Sequence, residues 1–399
     1  MTDTHEAEAS ILARMPRARV QEEPLDRAIG RILAEPVVAE RDQPPFDRVT
    51  MDGIAIAFAD WSAGKRLFSI AGTQAAGAAP LAIDHAGQCI EVMTGAMLPA
   101  GADTVIPVER VKRQGGQAEV DGDAAVAERQ FVHPRGSDRK QGAVLLEPGT
   151  RIGPTEMAVL ASAGYARVML AEPPRIAVIS TGDELVDVAE PVEPFQIRSS
   201  NERAIEASLA GHGLATVTRV RLADDERLML EEIGRLHAQH DALILSGGVS
   251  MGQFDYVPAV LERLGVELVF HKIRQRPGRP MGFGVTAQGK PVFALPGNPV
   301  SALVCLTRYV VPALARSLGR KPPPPERAVL TADVELGSDL TYFVPVRLVT
   351  TERGVVEAEP HQTNTSGDFI TLVGTDGFVE LPRGRRRYMK GEAVRLFRW

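Results

Sequence analysis

Apolar strands, glycine-rich turns and helices alternate in the middle of the chain, predicting a multidomain protein of α/β plus β class. Three observations carry that prediction. RIAVIS at 175–180, ALIL at 242–245 and VFAL at 292–295 are continuous apolar runs, as strands buried on both faces of a parallel sheet read. Each run ends in a glycine-rich turn, and the last two turns lead into helical patterns at 255–264 and 299–318, the order of a parallel α/β domain. The flanking stretches 46–133 and 327–398 instead break into short β-type runs separated by Gly, Pro and Asp, which makes them β-rich.

Taken in chain order, 6–15 and 24–34 read as short helices, the second from the spacing of Leu25, Ile29, Ile32 and Leu33. A proline-rich turn at 43–46 opens the first β-rich stretch, with strands expected near 54–58, 88–93 and 104–111, and a helix returns at 154–163. Four domains follow: 1–40 with 134–170 as an N-terminal domain, 41–133 as a β-rich insertion, 171–318 as the α/β domain, and 319–399 as a closing β-barrel or sandwich. The stretch KPPPP at 321–325 reads as a stiff linker into that last domain, with strands expected at 327–336, 342–350, 354–359, 377–381 and 392–398.

The 399 residues carry 44% hydrophobic and 24% charged side chains and a net charge of -6, a globular balance without the basic surface that nucleic-acid binding needs. The start, MTDTHEAEAS, lacks the basic and apolar parts of a signal peptide, and no apolar stretch approaches the ~20 residues of a membrane span. A cytoplasmic protein bound to neither membrane nor nucleic acid is expected. Cys89 and Cys305 are the only cysteines, so disulfide and cysteine-zinc frameworks drop out, and both read as small buried hydrophobes.

Ligands of open parallel sheets bind at the carboxyl ends of the strands, and four loops there are unusual. Thr181-Gly182-Asp183-Glu184-Leu185 follows the first strand, and Ser246-Gly247-Gly248-Val249-Ser250-Met251-Gly252-Gln253-Phe254-Asp255 the second. Arg276-Pro277-Gly278-Arg279-Pro280 follows a strand at 266–270, and Pro296-Gly297-Asn298-Pro299 the last. The SGGVS loop can turn backbone N–H groups toward a phosphate, although it is neither a Walker A loop nor G-x-G-x-x-G, and a plain βα turn is the alternative. Arg276 and Arg279 are two donor forks on a rigid turn, suited to a tetrahedral oxyanion, or two solvated arginines. Asp183, Glu184 and Asp255 beside such loops suit a bridging Mg²⁺, which takes one or two carboxylates plus phosphate oxygens; Asp255 serves equally as a helix cap. Asn298 fits a cap and Pro299 the first helical turn. In the β-rich insertion, Asp52-Gly53 reads as a hairpin turn and Thr94-Gly95 as another. The charged loop HPRGSDRKQG at 133–142, with Arg135 and Asp138, is plain surface or a second anion-facing patch.

Eight segments occur in one order: Phe46-Asp47-x-x-x-Met51-Asp52-Gly53, Met93-Thr94-Gly95, Arg135-Gly136-x-Asp138, Ser180-Thr181-Gly182-Asp183-Glu184-Leu185, Ser246-Gly247-Gly248-Val249-Ser250, Asp255-Tyr256, Pro277-Gly278-x-Pro280 and Leu295-Pro296-Gly297-Asn298-Pro299-Val300-Ser301-Ala302. With these the chain resembles the molybdopterin molybdenumtransferases, known as MoeA in bacteria and as the E domain of gephyrin in animals, from about residue 25 to near the C-terminus. The resemblance implies an α/β domain related to molybdopterin adenylyltransferases. It also implies a homodimer whose cleft lies between this domain of one subunit and the β-rich insertion of the other. Molybdopterin-adenylate and molybdate would be substrates, Mg²⁺ the cofactor, and AMP and molybdenum cofactor the products, with transient contacts to the adenylyltransferase and to molybdoenzyme chaperones. By motif, Asp52, Glu184 and Asp255 take catalytic roles, Glu184 and Asp255 also holding the metal. Thr94, Asp138, Asp224, Ser246, Gly247, Gly248, Ser250, Arg276, Arg279, Pro296, Gly297 and Pro299 take substrate-binding ones. The chain departs from the family pattern in having Arg276 and Arg279 for lysines, Gln253 for a glutamate, Arg48-Val49-Thr50 before Met-Asp-Gly, and Ser199 for an aspartate. A non-catalytic cofactor carrier on the same fold is the alternative.

Overall fold

The structure, a computed structural model, describes residues 1–248, 256–361 and 365–399. It divides into two compact units, one of Met1–Glu35, Pro148–Gly153 and Arg167–Trp399, the other of Pro36–Glu147 and Pro154–Ala166.

The first unit is built on a six-stranded sheet. Its elements are β1 (Arg175–Thr181), α1 (Asn201–His212), β2 (Thr216–Leu222), α2 (Glu226–Gln239), β3 (Ala242–Ser246), α3 (Val257–Arg263), β4 (Val266–His271), β5 (Gly282–Thr286), β6 (Pro291–Leu295) and α4 (Pro299–Cys305). The strand order is β2-β1-β3-β6-β5-β4; β5 runs against both neighbours and the other five strands are parallel. The apolar runs are continuous because both sheet faces are covered. Ile176, Val178, Ile244, Phe293 and Leu295 face one core, while Ala177, Ile179, Leu243, Leu245 and Val292 face the other. Each of the Val, Leu, Ile and Phe side chains contributes about 1.5–3 kcal/mol on full burial. Both covering helices on the second and first strands' flanks are amphipathic. Asp225 caps α2 by accepting from Leu228 N, and Met229, Ile233 and Leu236 form its buried stripe. Ile205 and Leu209 do the same for α1, which Gly213 ends with φ +66.

The helix expected over 299–318 is interrupted. It runs as α4, a π-helical turn over Leu306–Val310, and a last segment over Val311–Ser317. This run is the one among the described residues long and apolar enough to cross a membrane, with mean hydropathy 1.2, yet 72% of it is buried inside the fold. That burial is what a core helix shows.

The C-terminal stretch closes on itself. Strands Thr341–Thr350, Val356–Pro360, Arg327–Leu330, Ala393–Arg398 and Gly377–Leu381 pair in that order, and the last returns to the first. The closing domain is therefore a β-barrel rather than a sandwich. Gln275-Arg276 adds to its edge, parallel to Thr341-Tyr342.

The stretch 24–34 is not a helix. Only Leu25–Arg27 forms a 3₁₀ turn, Gly30 takes φ +77, and Ile32 and Leu33 bridge in extended conformation to Arg151 and Leu170. Burying Ile32 and Leu33 through backbone pairing outweighed a weak helical spacing behind Pro24. Val20–Pro24 pairs with Arg167–Ala171 in this same unit, whereas Val37-Val38 pairs with Val144–Leu146 in the other.

The second unit holds a six-stranded sheet in the order Thr104–Pro107, Gly53–Ile56, Gln88–Val92, Leu67–Gln74, Gln117–Val120, Val111–Gln114. Ile54, Ile56, Phe68, Cys89 and Ile106 fill one of its cores. Cys89 and Cys305 are both buried, and burial raises the Cys89 thiol to about 12, so neither is poised as a nucleophile.

Candidate active site

The four loops at the carboxyl ends of β1, β3, β4 and β6 line one cavity of about 1500 Å³, together with residues of the barrel. Glu184, Asp224, Ser246, Gly247, Gly248, Arg276, Arg279, Pro296, Gly297 and Pro299 all face it. Ser250 and Asp255 lie outside the described residues; the helix after them starts at Val257 with Tyr256 in the cap position.

The floor is made by glycine turns packed without side chains between them. Gly247 and Gly248 have φ +99 and +61, and a Cβ on Gly247 would stand 2.5 Å from the Thr181 carbonyl oxygen. The Gly247 Cα is 3.5 Å from where a Gly297 Cβ would sit, so the β3 and β6 turns touch backbone to backbone. Asn201, at the start of α1, ties them together: its Nδ2 donates to Ser246 Oγ at 2.9 Å and to the Gly297 carbonyl at 2.7 Å. A carbonyl can only accept, so the amide orientation is determined and Oδ1 is the free acceptor. Beneath it, buried Glu202 accepts from Ser199 at 2.6 Å and Ser180 at 3.1 Å. Asn298 occupies the α4 cap position but makes no side-chain cap bond; its Nδ2 donates instead to Ser366 Oγ at 2.7 Å.

The rim carries charge of both signs. Arg276 and Arg279 are exposed to the cavity, and neither enters an ion pair among the described residues. The same cavity is lined by the carboxylates of Glu184 and Asp224 and, from the barrel, Glu335. Glu184 folds back over Gly182, whose Cα hydrogen faces its carboxyl oxygens; a Cβ there would lie 2.6 Å from Oε2. The Asp224 N–H donates to Asp183 Oδ1 at 3.0 Å, which joins the first loop to the Asp224-Asp225 turn. Among the described residues no group of three His, Cys, Asp or Glu side chains converges as a protein-only metal cage. One or two carboxylates do fit a hard cation that completes its shell with phosphate oxygens and water.

Asp52, Thr94 and Asp138 belong to the second unit. Asp52 immediately precedes Gly53–Ile56 and Thr94 closely follows Gln88–Val92; these strands pair antiparallel with Gly53 opposite Val92, so the two residues meet. Asp52 Oδ1 accepts from both the Thr94 hydroxyl and its N–H, each at 2.6 Å. The hydroxyl first and the N–H second hold the Asp52 carboxyl below its ordinary value. Gly53 is required because a Cβ would stand 1.9 Å from the Ile106 carbonyl oxygen. Asp138 accepts from His133 Nε2 at 2.9 Å, while Arg48 reaches His133 Nδ1 at 3.0 Å. A guanidinium can only donate, so Nδ1 accepts and Nε2 carries the proton.

With this geometry established, comparison with known proteins decides the family. Residues 2–164 match the model described as MoeA N-terminal region (domain I and II), 177–316 that of Probable molybdopterin binding domain, and 327–398 that of MoeA C-terminal region (domain IV). The Synechocystis molybdopterin molybdenumtransferase is 40% identical over 376 residues, 94% of each chain. The chain belongs to the MoeA molybdopterin molybdenumtransferase family. The Bacillus subtilis member is 31% identical over 380 residues, covering 93% of this chain and 88% of its own. Two structures of the molybdopterin biosynthesis MoeA protein from Pyrococcus horikoshii are 32% and 28% identical with TM-scores of 0.86 and 0.85, each covering 100% of this chain. The chain is a transferase of molybdenum cofactor biosynthesis.

Sequence reasoning missed Asn201, Gln275 and the barrel's share of the cavity, Glu335, Tyr342 and Ser366 among them. Asn201 acts on partners 45 and 96 positions away, which no local pattern signals. The parallel bridge between Gln275-Arg276 and Thr341-Tyr342 brings the barrel to the rim.

Proposed function

We propose that this protein transfers molybdenum from molybdate to molybdopterin-adenylate, with cleavage of the pyrophosphate link and release of AMP and molybdenum cofactor. The observation that carries this reading is the cavity itself: glycine turns stripped of side chains, two arginines without an ion pair among the described residues, and the carboxylates of Glu184, Asp224 and Glu335, all lining one space. Two oxyanions must be brought together in the reaction, and their mutual repulsion is the first barrier. The backbone of the Gly247 and Gly297 turns can approach a diphosphate closely, and its N–H groups and Ser246 form the cradle. Arg276 and Arg279 hold the tetrahedral oxyanion, while Pro296 and Pro299 stiffen the turn that borders it. Glu184 and Asp255 are the residues that would hold Mg²⁺, which would supply charge neutralisation at the diphosphate oxygens, and Asp224 binds substrate. Asp52, kept ionised by Thr94, acts at the reacting group, and Asp138 binds substrate.

The homodimer is part of the proposal, with Asp52 and Thr94 supplied by the second subunit. So are the cytoplasmic location and transient contacts with the adenylyltransferase that makes the substrate and with chaperones that take the product.

The test is AMP release from molybdopterin-adenylate on addition of molybdate and Mg²⁺. Turnover is expected, with Glu184→Gln and Asp52→Ala variants each inactive. Mixing those two variants should restore roughly a quarter of the activity, because half the reassorted dimers keep one intact cleft of two. Tight substrate binding without AMP release would overturn the transferase mechanism and favour a carrier.

A further inference from the structure

Gln275 is fully buried at the base of the arginine loop. A primary amide is costly to bury unless its donors and acceptor are matched, and here they are. Nε2 donates to the Pro277 carbonyl at 3.1 Å and to Cys305 Sγ at 3.4 Å, and Oε1 accepts from the Tyr309 hydroxyl at 2.5 Å. Since the Pro277 carbonyl can only accept, the amide cannot be flipped, and Tyr309 must be the donor. Cys305 in turn donates to the Gly278 carbonyl at 3.7 Å. The loop lies so close on this support that a Cβ on Gly278 would be 2.5 Å from Cys305 Sγ and 2.6 Å from Gln275 Nε2. The carbonyls of Pro277 and Gly278 therefore point down into the fold, while the side chains on either side, Arg276 and Arg279, point out to the cavity.

The backbone around the loop is held as firmly. Thr341 N donates to the Arg274 carbonyl at 3.0 Å, Ile273 N to the Arg279 carbonyl at 2.9 Å, and Arg274 N to the Thr2 carbonyl at 2.9 Å. Tyr309 stands on the π-helical turn, next to Arg308. Among the described residues, neither the Arg276 nor the Arg279 guanidinium enters an ion pair. Two long side chains pay a large entropy cost when they converge on one anion, and fixing their Cα atoms reduces it.

We infer that Gln275, braced by Tyr309 and Cys305, is the positioning residue that sets where Arg276 and Arg279 present their charge, and thereby sets the affinity for the oxyanion substrate. This rests on the reading that the two arginines hold that oxyanion.

The experiment is a double-mutant cycle. Molybdate and tungstate dissociation constants, and the KM for molybdate against kcat, are measured for Tyr309→Phe, for Gln275→Leu, for the pair Arg276→Ala/Arg279→Ala, and for Tyr309→Phe placed on that pair. Tyr309→Phe keeps the ring and folds with the least disturbance. It is expected to weaken oxyanion binding by about threefold to tenfold, the worth of one buried hydrogen bond, with the loss appearing in KM for molybdate and not in kcat. Gln275→Leu should exceed it. On the arginine-free background Tyr309→Phe should change the oxyanion constant by less than about twofold, because the groups it positions are gone. An equal effect with and without the arginines would make the network merely structural and overturn the inference. If Arg276→Ala/Arg279→Ala itself leaves oxyanion affinity unchanged, the oxyanion assignment fails and the positioning role fails with it. A normal arginine effect with wild-type affinity in Tyr309→Phe and Gln275→Leu overturns the positioning role alone.

Discussion

Arg308 offers the sharpest test of how the cavity's two walls are joined. Its side chain is fully buried between the N-terminal helix Thr4–Arg14 and the barrel. Nη1 lies 2.8 Å from Glu8 Oε1, Nη2 lies 2.9 Å from Glu8 Oε2 and 3.7 Å from Glu380 Oε1, and the group sits 5.0 Å over the Phe397 ring centroid. Arg308→Met keeps the volume and the apolar stem. It leaves Glu8 and the buried Glu380 with Arg395, at 3.9 and 3.6 Å, and Glu8 also with His5 at 4.0 Å. Removing one partner of a buried ion pair costs about 3–5 kcal/mol, and the remaining Arg395 places the expected loss at the lower end, about 3 kcal/mol, or roughly a hundredfold in the unfolding equilibrium. Replacing all three charges, as Arg308→Met/Glu8→Gln/Glu380→Leu, should recover most of it, because the uncompensated carboxylates are then gone. The pH sign follows from Glu8. Burial pushes its carboxyl up, but the Arg308 hydrogen bond and charge outweigh burial and hold it below the ordinary value. A lowered folded value adds stability above the ordinary carboxylate range and loses it as pH falls through the folded value. The gap between wild type and Arg308→Met should thus be full at neutral pH and narrow in acid. Urea unfolding followed through Trp399, which packs 5.2 Å from Phe378, in a Trp61→Phe background reads this region. A single variant within about 1 kcal/mol of wild type at neutral pH, or a triple variant less stable than the single, would refute the reasoning.

Two further outcomes are expected. In Thr94→Val the largest cause of the lowered Asp52 carboxyl disappears, so the acid limb of kcat/KM should move to higher pH with the neutral plateau kept; an unmoved limb would exclude Asp52 as the titrating group. Gly247→Ala forces a Cβ against the Thr181 carbonyl at φ +99, whereas Gly297→Ala meets only ordinary contact at 3.5 Å; the first should lower stability by at least about 1–2 kcal/mol and the second by less, and equal melting points for the two would contradict the packing described.

What the chain determined by itself is its local order. Ile176–Ile179 within RIAVIS and the whole of ALIL are apolar without alternation, as strands covered on both faces read, and the parallel sheet follows from their order with glycine turns and helices. The loops after those strands could be named as a rim for the same reason, and Glu184, Arg276, Gly247 and Gly297 do line one cavity. The signals for α2 were equally local, with Asp225 as cap and Met229, Ile233 and Leu236 in register, although they are harder to see among charged neighbours. Tertiary structure decided what depends on distant partners. Ile32 and Leu33 are spaced for a helix but form extended bridges, because pairing with Arg151 and Leu170 buries them better than an isolated turn could. The barrel closes through pairing of Thr341–Thr350 with Gly377–Leu381, and its edge takes in Gln275-Arg276. Gln275 and Arg308 look like ordinary polar residues in the sequence. They are buried because hydroxyl, carbonyl and carboxylate partners from remote segments satisfy them, and only the folded chain brings those partners within reach.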